Sequence, residues 1–159
     1  PMRATTDLYD DFEETCETCS VQFRDFGGRK RFFGRIRTVR CFHDNVLFRQ
    51  LLNEPGEGGV IVVDGGGSTA IALMGDMLAA RGRDNGWAGV IINGAIRDSA
   101  EIAGIDIGVK ALGVNPAKSE KKGEGETDVE LEFGGVTFRP GEWAYCDEDG
   151  ILLSPEKIE

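Results

Sequence analysis

The sequence GDMLAARGRDNGWAGVIINGAIRD, from Gly75 to Asp98, decides how the fold of this chain is interpreted. Glycine in a helix interior costs about 1 kcal/mol relative to alanine, so Gly75 indicates that one helical pattern is broken and a fresh helix begins at Asp76. The apolar run Ala88 to Ile92 is typical of a buried strand, and the Asn93-Gly94 pair behind it predicts a turn. The stretch therefore predicts a helix, a strand and a turn in succession.

Three charged side chains fall at the ends of these predicted elements: Asp76, Arg97 and Asp98. Residues on turns face solvent or ligand, whereas residues inside strands face the core. Two carboxylates and a guanidinium could there hold a divalent metal ion and an oxyanion together. A helix that begins at Asp76 also presents free N–H groups at Asp76, Met77 and Leu78, which together with the helix dipole suit a substrate carboxylate.

Each of these features also has a purely structural interpretation. Gly75 could be tolerated for packing, and the Arg97-Asp98 pair could be a surface ion pair worth at most about 1 kcal/mol. The triple glycine Gly65 to Gly67 could cradle an anion, but it matches neither a phosphate-binding loop nor a dinucleotide fingerprint. Tight backbone packing explains that segment equally well.

The composition is that of an ordinary globular protein of 159 residues, 40% of them hydrophobic, and it predicts one domain over residues 1–159. The net charge of −10 would repel RNA, so nucleic-acid binding is disfavoured, and an acidic substrate would need a local cation. The basic and aromatic stretch Phe23 to Arg35 is expected to pack its rings and to use its arginines in intersubunit or surface ion pairs. Without a signal-peptide pattern or a long apolar run, we expect no membrane association and a cytoplasmic location.

Other residues capable of chemistry fit structural roles. Cys16 and Cys19 have CxxC spacing, but they fall in a predicted helix and no second close pair exists, so reduced thiols are expected. The single histidine, His43, has no serine elbow that would support a triad. The six lysines fall in charged segments or at a strand end, so none is expected to have the apolar pocket that a Schiff base requires.

The remaining patterns predict an N-terminal helix from Asp7 to Cys16 capped by Thr6, a helix from Asn45 to Leu52, and an exposed loop from Pro116 to Glu126. A further helix is predicted to open at Asp64 to Thr69. Strands alternate with helices in the first half and dominate the second half, which favours an α/β sandwich with mixed parallel and antiparallel sheets. The other predicted strands are Phe33–Cys41, Gly59–Val63, Ile107–Leu112, Val129–Phe133, Val136–Phe138, Trp143–Cys146 and Ile151–Leu153.

Together these segments resemble the family that contains the regulator of ribonuclease E activity A and the class II 4-hydroxy-4-methyl-2-oxoglutarate/4-carboxy-4-hydroxy-2-oxoadipate aldolases. The resemblance covers nearly the whole chain. Its most specific element is an aspartate, twenty residues and an Arg-Asp pair, here Asp76, Arg97 and Asp98, and the regulator departs from this pattern after the arginine. The matching segments are FGGR at Phe26–Arg29, CFHDN at Cys41–Asn45, VVDGGGS at Val62–Ser68, GDMLA at Gly75–Ala79, NGWAGVIINGAIRD at Asn85–Asp98, DIGVKALG at Asp106–Gly113 and FGGVTFRPGEWAYCDEDGILLS at Phe133–Ser154.

The resemblance implies an α/β/β sandwich of the swivelling-domain type, assembled as a homotrimer or a dimer of trimers with active sites between subunits. It also implies a metal-dependent enzyme that releases pyruvate from a small 2-oxo dicarboxylic acid and decarboxylates oxaloacetate as a secondary activity. In such an enzyme Asp98 would anchor Mg²⁺ or Mn²⁺, Arg97 would bind the ketone oxygen, and Asp76 would help to carry a proton. The backbone of Gly75 to Leu78 would hold the substrate carboxylate. The rival interpretation is a non-catalytic protein that binds and inhibits the endonuclease RNase E.

Overall fold

The computed structural model describes residues 1–159, in which a mixed β-sheet is combined with four short helices. None of these helices is long and apolar enough to span a membrane. The helices are α1 (Thr5–Phe12), α2 (Val46–Leu52), α3 (Asp76–Asp84) and α4 (Ser99–Ile102). The strands are β1 (Glu17–Cys19), β2 (Arg24–Asp25), β3 (Phe32–Arg40), β4 (Val60–Asp64), β5 (Ala72–Met74), β6 (Gly89–Ile96), β7 (Gly108–Val114), β8 (Glu126–Thr127), β9 (Leu131–Phe133), β10 (Val136–Phe138), β11 (Trp143–Asp147) and β12 (Gly150–Ser154).

Four parallel strands, in the order β3-β4-β6-β7, form the centre of the sheet. The short strand β5 adds in parallel to the end of β6. Strand β3 pairs with β11 over residues 32–35 and with β4 over residues 36–40, so the sheet continues antiparallel through β11 and β12 to β1. The hairpin of β9 and β10 forms a separate two-stranded sheet. The predicted α/β class with mixed sheets is therefore confirmed.

Both faces of the central strands are buried, and alternate residues belong to two different cores. In β4, Ile61 and Val63 pack in the core that contains the apolar residues of α2, α3 and α4. Their neighbours Val60 and Val62 pack in a second core with β9 to β12. The result is a layer of helices, a central sheet and a second layer of strands, and a strand buried on both faces explains the continuous apolar run of β4.

The glycine-rich segment after β4 forms a turn, so the prediction that a helix opens there is wrong. Gly66 and Gly67 have φ angles of +71° and +75°, a left-handed conformation that a right-handed helix cannot contain. The chain then enters β5, and the residues before Gly75 form a strand and not a helix. The predicted beginning of a fresh helix at Asp76 is confirmed.

Strand β6 is longer than predicted, because Asn93 and Gly94 lie inside the strand and not in a turn. The pairing of β6 with β7 shifts register at this point, so the Asn-Gly pair occupies an irregularity of the kind found at β-bulges. The side chain of Asn93 donates to Oδ1 of Asp64 at 3.0 Å. The strand consequently reaches Ile96 and places the Arg-Asp pair directly at its end.

The N-terminal helix ends at Phe12 and not at Cys16, and Ala4 occupies its N-cap position without a capping side chain, in place of the predicted Thr6. Cys19 lies in β1, which pairs with β12, so the prediction that both cysteines lie in a helix is wrong. Pairing with a neighbouring strand outweighs the weak local helix propensity of this segment.

The basic and aromatic stretch Phe23 to Arg35 buries the rings of Phe26 and Phe32, as predicted, but only one of its four arginines forms an ion pair. Arg29 forms a surface ion pair with Asp106 at 3.1 Å. The guanidinium carbon of Arg24 lies 4.7 Å from the centre of the Phe26 ring, a cation–π arrangement. The basic side chains of this stretch are thus used within the chain itself.

Candidate active site

The six predicted site residues line one pocket of about 220 Å³ at the carboxyl ends of the parallel strands. A water molecule occupies about 30 Å³ in the liquid, so the pocket suits a small metabolite and not a nucleotide-sized ligand. Each predicted residue is present in the lining, although their positions span twenty-four residues of sequence. They are Gly75, Asp76, Met77, Leu78, Arg97 and Asp98.

Parallel pairing explains this convergence, because the carboxyl ends of β5 and β6 lie at the same edge of the sheet. Strand β5 ends at Met74 and leads through Gly75 into α3. Strand β6 ends at Ile96 and leads into Arg97 and Asp98. The backbone N–H of Arg97 donates to the carbonyl of Met74 at 2.9 Å, which joins the two strand ends.

Asp98 connects the end of β6 with the start of α3. Its φ of +59° lies in the left-handed region, which aspartate tolerates better than most residues. Its Oδ2 atom accepts the backbone N–H of Asp76 at 3.0 Å, where a negative charge complements the helix dipole. The N–H of Asp76 is therefore not free for a ligand, contrary to the prediction, whereas those of Met77 and Leu78 have no backbone partner.

Gly75 is required by space and not by backbone conformation, since its φ is −117°. A Cβ atom at this position would lie 2.6 Å from Oδ2 of Asp98, closer than such atoms normally approach. The glycine therefore allows the carboxylate of Asp98 to reach the first turn of α3.

Replacing Gly75 by alanine is expected to destabilise the protein by about 0.5–2 kcal/mol, because the added methyl group displaces the Asp98 carboxylate and the start of α3 loses its hydrogen bond to that carboxylate. Urea unfolding measures this change in free energy. Gly113→Ala is the matched control, because a Cβ at Gly113 meets nothing within 4 Å, and its stability should be unchanged or raised. Equal stability of the two variants would contradict the close contact between Gly75 and Asp98.

The guanidinium of Arg97 is half-buried in the pocket. Its Nη1 donates to the carbonyl of Pro116 at 3.4 Å. Arg97 forms no ion pair with the adjacent Asp98 or with any other carboxylate of the chain, so the alternative of a simple surface ion pair is wrong. Its remaining donors are available to a ligand.

The carboxylates of Asp76 and Asp98 are the donors that could hold a divalent cation here. Asp98 is exposed, and its Oδ1 accepts no hydrogen bond from the protein, so one oxygen remains for a metal ion. The chain gathers no group of three or more histidine, cysteine or acidic side chains. Mg²⁺ is commonly bound through one or two carboxylates with several waters retained, so this donor set fits a hydrated hard ion and not a closed protein cage.

Eight further residues line the pocket that the sequence analysis did not identify; Ala72 and Met74 are apolar, and four of the six polar ones are basic. No spacing links the polar ones to the Asp-Arg-Asp motif, because they come from α2, from α3 and from the segment after β7. With Arg97 they place five cations against two carboxylates, in a chain whose net charge is −10. The six polar residues are Asn45, Arg49, Arg81, Lys118, Ser119 and Lys121.

The segment Pro116 to Glu126 is an exposed loop, as predicted, except at Ser119, and it is held against Asp44, just before α2. Ser119 is only 5% exposed, and Asp44 is 1% exposed. Asp44 accepts the backbone N–H groups of Lys122 to Glu124 at distances between 2.7 and 3.3 Å. Burial alone would raise the pKa of Asp44, but these donors and the N–H of Val46 lower it, so the carboxylate stays charged and holds the segment at neutral pH.

Asn45 positions Lys121 in the pocket. Its Nδ2 donates to the carbonyl of Leu73 at 2.9 Å, and its Oδ1 accepts from Nζ of Lys121 at 2.7 Å. The hydroxyl of Ser119 lies 3.0 Å from the same ammonium. Burial, and then the neighbouring pocket cations, lower the pKa of Lys121. Lys118 and Lys121 thus line a pocket, whereas the sequence analysis expected no lysine in a pocket. Five other charged side chains line it as well, so it is not the apolar pocket that a Schiff base requires.

The other candidate residues lie outside this pocket. A larger cavity of about 880 Å³, between the end of α1 and residues 154–159, contains none of the predicted site residues. Nε2 of His43 is hydrogen-bonded to Oγ of Ser68 at 2.7 Å, but no carboxylate orients the imidazole as a triad would require. All four cysteines are free and buried, and burial raises the pKa of Cys41 to about 12, so this thiol is protonated at neutral pH.

Comparison with known proteins identifies relatives across nearly the whole chain. Residues 5–153 match the family described as RraA-like, aldolase/RraA. A protein of Alkalilimnicola ehrlichii, provisionally named 4-hydroxy-4-methyl-2-oxoglutarate aldolase, is 58% identical over 154 residues, which are 97% of this chain and 96% of that protein. The structure of the RNA-processing inhibitor RraA from Thermus thermophilus is 48% identical with a TM-score of 0.96, covering 100% of this chain and 96% of that one. A Geobacillus kaustophilus structure described as an S-adenosylmethionine: 2-dimethylmenaquinone methyltransferase is 47% identical with a TM-score of 0.97, covering 98% and 97% of the two chains.

Proposed function

Because the chain belongs to the RraA-like family of aldolases and RraA proteins, we propose that it is a class II, metal-dependent lyase. Its proposed substrates are 4-hydroxy-4-methyl-2-oxoglutarate or 4-carboxy-4-hydroxy-2-oxoadipate, which it cleaves to pyruvate and a second 2-oxo acid. The observation that carries this proposal is the meeting of Asp76, Arg97 and Asp98 with the start of α3 in one small pocket. We further propose Mg²⁺ or Mn²⁺ as the cofactor, a homotrimer or a dimer of trimers as the assembly, and the cytoplasm as the location.

The proposed binding mode uses the groups that the fold leaves free. The carboxylate at the 2-oxo acid end of the substrate would accept hydrogen bonds from the N–H groups of Met77 and Leu78, at the positive end of the α3 dipole. Arg97 would donate to the 2-oxo oxygen. A divalent cation held by Asp98 would supply Lewis-acid stabilisation of charge at that oxygen.

Retro-aldol cleavage breaks the bond between C3 and C4 while the 4-hydroxyl becomes a carbonyl. The electron pair passes to C3 and gives the enolate of pyruvate, whose negative charge lies on the oxygen that faces Arg97. The hydroxyl proton passes to the carboxylate of Asp76, directly or through a water molecule, and then returns to C3. Decarboxylation of oxaloacetate proceeds through the same enolate, so a secondary decarboxylase activity follows from the same groups.

Pyruvate release from 4-hydroxy-4-methyl-2-oxoglutarate, measured by coupling to lactate dehydrogenase, is expected to require Mg²⁺ or Mn²⁺. EDTA should abolish it, because the stabilisation of the enolate by the cation is worth several kcal/mol. Excess Mg²⁺ added afterwards should restore the rate, which separates loss of the ion from loss of the fold. Full activity in EDTA after exhaustive dialysis would contradict a metal-dependent mechanism.

The same assay distinguishes the metal-dependent mechanism from one in which a lysine forms an imine with the substrate. Lys121 is the residue to test, because its pKa is lowered, as that of an imine-forming lysine must be. Borohydride added with substrate is expected to trap no covalent adduct. An adduct found on Lys121 by mass spectrometry would overturn the metal-dependent proposal in favour of an imine mechanism.

A second candidate function is inhibition of the endonuclease RNase E, which the likeness to the Thermus thermophilus RraA favours at 48% identity and a TM-score of 0.96. The complete Asp-Arg-Asp motif favours the enzyme. Tight capture of RNase E in a pull-down, combined with no pyruvate from any 2-oxo acid tested, would favour the inhibitor.

A further inference from the structure

Five basic residues lie together in the pocket, and none of them takes part in the ten ion pairs of the chain. Eight of the 18 basic residues do form such pairs, so the pocket contains five of the ten that do not. The chain has 28 acidic residues that could have paired with them. A cleft whose charged side chains are mostly of one sign, here five cations against two carboxylates, raises the local concentration of an oppositely charged ligand.

These five cations fall into two groups. Arg97 and Lys121 donate hydrogen bonds to protein oxygens. The side chains of Arg49, Arg81 and Lys118 make no hydrogen bond to the protein, although they come from α2, α3 and the segment after β7 and line the same pocket. Arg81 lies about one helical turn, or about 5.4 Å, along α3 from the first turn whose N–H groups are free.

We propose that Arg49, Arg81 and Lys118 form a second anion subsite, which binds the carboxylates that the substrate carries beyond its 2-oxo acid end. This inference rests on the proposed function, which places the 2-oxo acid end at the start of α3. Guanidinium groups bind carboxylates through paired, charge-assisted hydrogen bonds. The pocket consequently selects 2-oxo acids with two or three carboxylates over those with one. Three cations around 220 Å³ suit such a small acid and not an extended polyanion.

This subsite is tested with two probes of equal chain length, neither of which can undergo retro-aldol cleavage. 2-Oxoglutarate has two carboxylates, whereas 2-oxopentanoate has only the one beside its ketone. Calorimetric titration of the full chain in Mg²⁺ is expected to show that 2-oxoglutarate binds at least about tenfold more tightly than 2-oxopentanoate. A difference of this size corresponds to one charge-assisted contact. Arg49→Gln, Arg81→Gln and Lys118→Gln should each reduce this preference and leave the affinity for 2-oxopentanoate unchanged. Arg83→Gln is the matched control, since Arg83 lies on the same helix, pairs with Asp84 and does not line the pocket.

The outcomes separate the subsite from the catalytic proposal. Equal affinity of the wild-type chain for both probes, or a preference that persists in all three variants, overturns the second subsite and leaves the proposed function standing. Failure of both probes to bind overturns both. A preference for 2-oxoglutarate that the variants lose, without pyruvate from any aldol substrate, supports the subsite and overturns the catalytic function. Equal loss of affinity in Arg83→Gln overturns the subsite in favour of a general charge effect.

Discussion

Replacing Asp98 by asparagine is expected to slow metal-dependent pyruvate release at least about a hundredfold, because several kcal/mol of charge stabilisation depends on its carboxylate. Asparagine removes the charge and preserves the surroundings. Its side-chain oxygen can still accept the N–H of Asp76, which the carboxylate accepts at 3.0 Å. It also tolerates the left-handed φ of +59°, which alanine would adopt only with strain.

The rate is measured with the lactate dehydrogenase-coupled assay over a range of Mn²⁺ concentrations, and Mn²⁺ binding is followed by electron paramagnetic resonance. Both the rate and the Mn²⁺ affinity should fall in Asp98→Asn. Asp128→Asn is the matched control, because Asp128 also has a left-handed φ, +58°, but pairs with Arg37 outside the pocket. Turnover by Asp98→Asn within about threefold of the control, less than 1 kcal/mol, would rule out Asp98 as the metal anchor.

The location of the motif could be predicted from the sequence because element ends leave strong local signals. The glycine at position 75 indicated a helix start, and the apolar run in β6 indicated a strand that ends near the Arg-Asp pair. Parallel pairing of β5 with β6 then brings these ends together, whatever the details of the intervening chain. The motif is therefore placed at the ends of these elements even though the predicted end of β6 is four residues too early and the residues of β5 are predicted to be helical.

Those errors have a physical cause. Strand β5 has three residues, Ala72 to Met74, and so short an apolar segment has no period that distinguishes a strand from a helix. Its conformation is decided by pairing with β6, a tertiary contact. The positive φ angles of Gly66 and Gly67 cannot be predicted from the sequence either, because glycine adopts both signs of φ and the surrounding structure decides between them.

The basic residues that line the pocket could not be predicted either, but for a different reason. Arg49, Arg81 and Lys118 come from three separate elements, and each alone resembles an ordinary exposed charge. What distinguishes them is that they line one pocket without an ion-pair partner, which only the three-dimensional arrangement reveals. The buried carboxylate of Asp44, which fixes the segment carrying Lys118, is likewise a long-range contact that no local pattern contains.

Replacing Arg97 by lysine is expected to lower kcat about a hundredfold to a thousandfold, the usual effect of removing a donor that faces developing negative charge. Lysine keeps the positive charge but loses the planar fork that can donate to the carbonyl of Pro116 and to a 2-oxo oxygen together. Because the enolate oxygen carries more charge than the ketone, KM should change much less than kcat.

Steady-state kinetics of Arg97→Lys, with circular dichroism to verify the fold, measure this separation of kcat from KM. Arg40→Lys is the matched control, since Arg40 pairs with Glu126 on the surface and should leave both constants unchanged. A raised KM with an unchanged kcat would show that Arg97 binds substrate and transition state equally, and would remove it from the stabilisation of the enolate. The loss in kcat therefore decides whether the pocket only recognises a 2-oxo acid or also cleaves it.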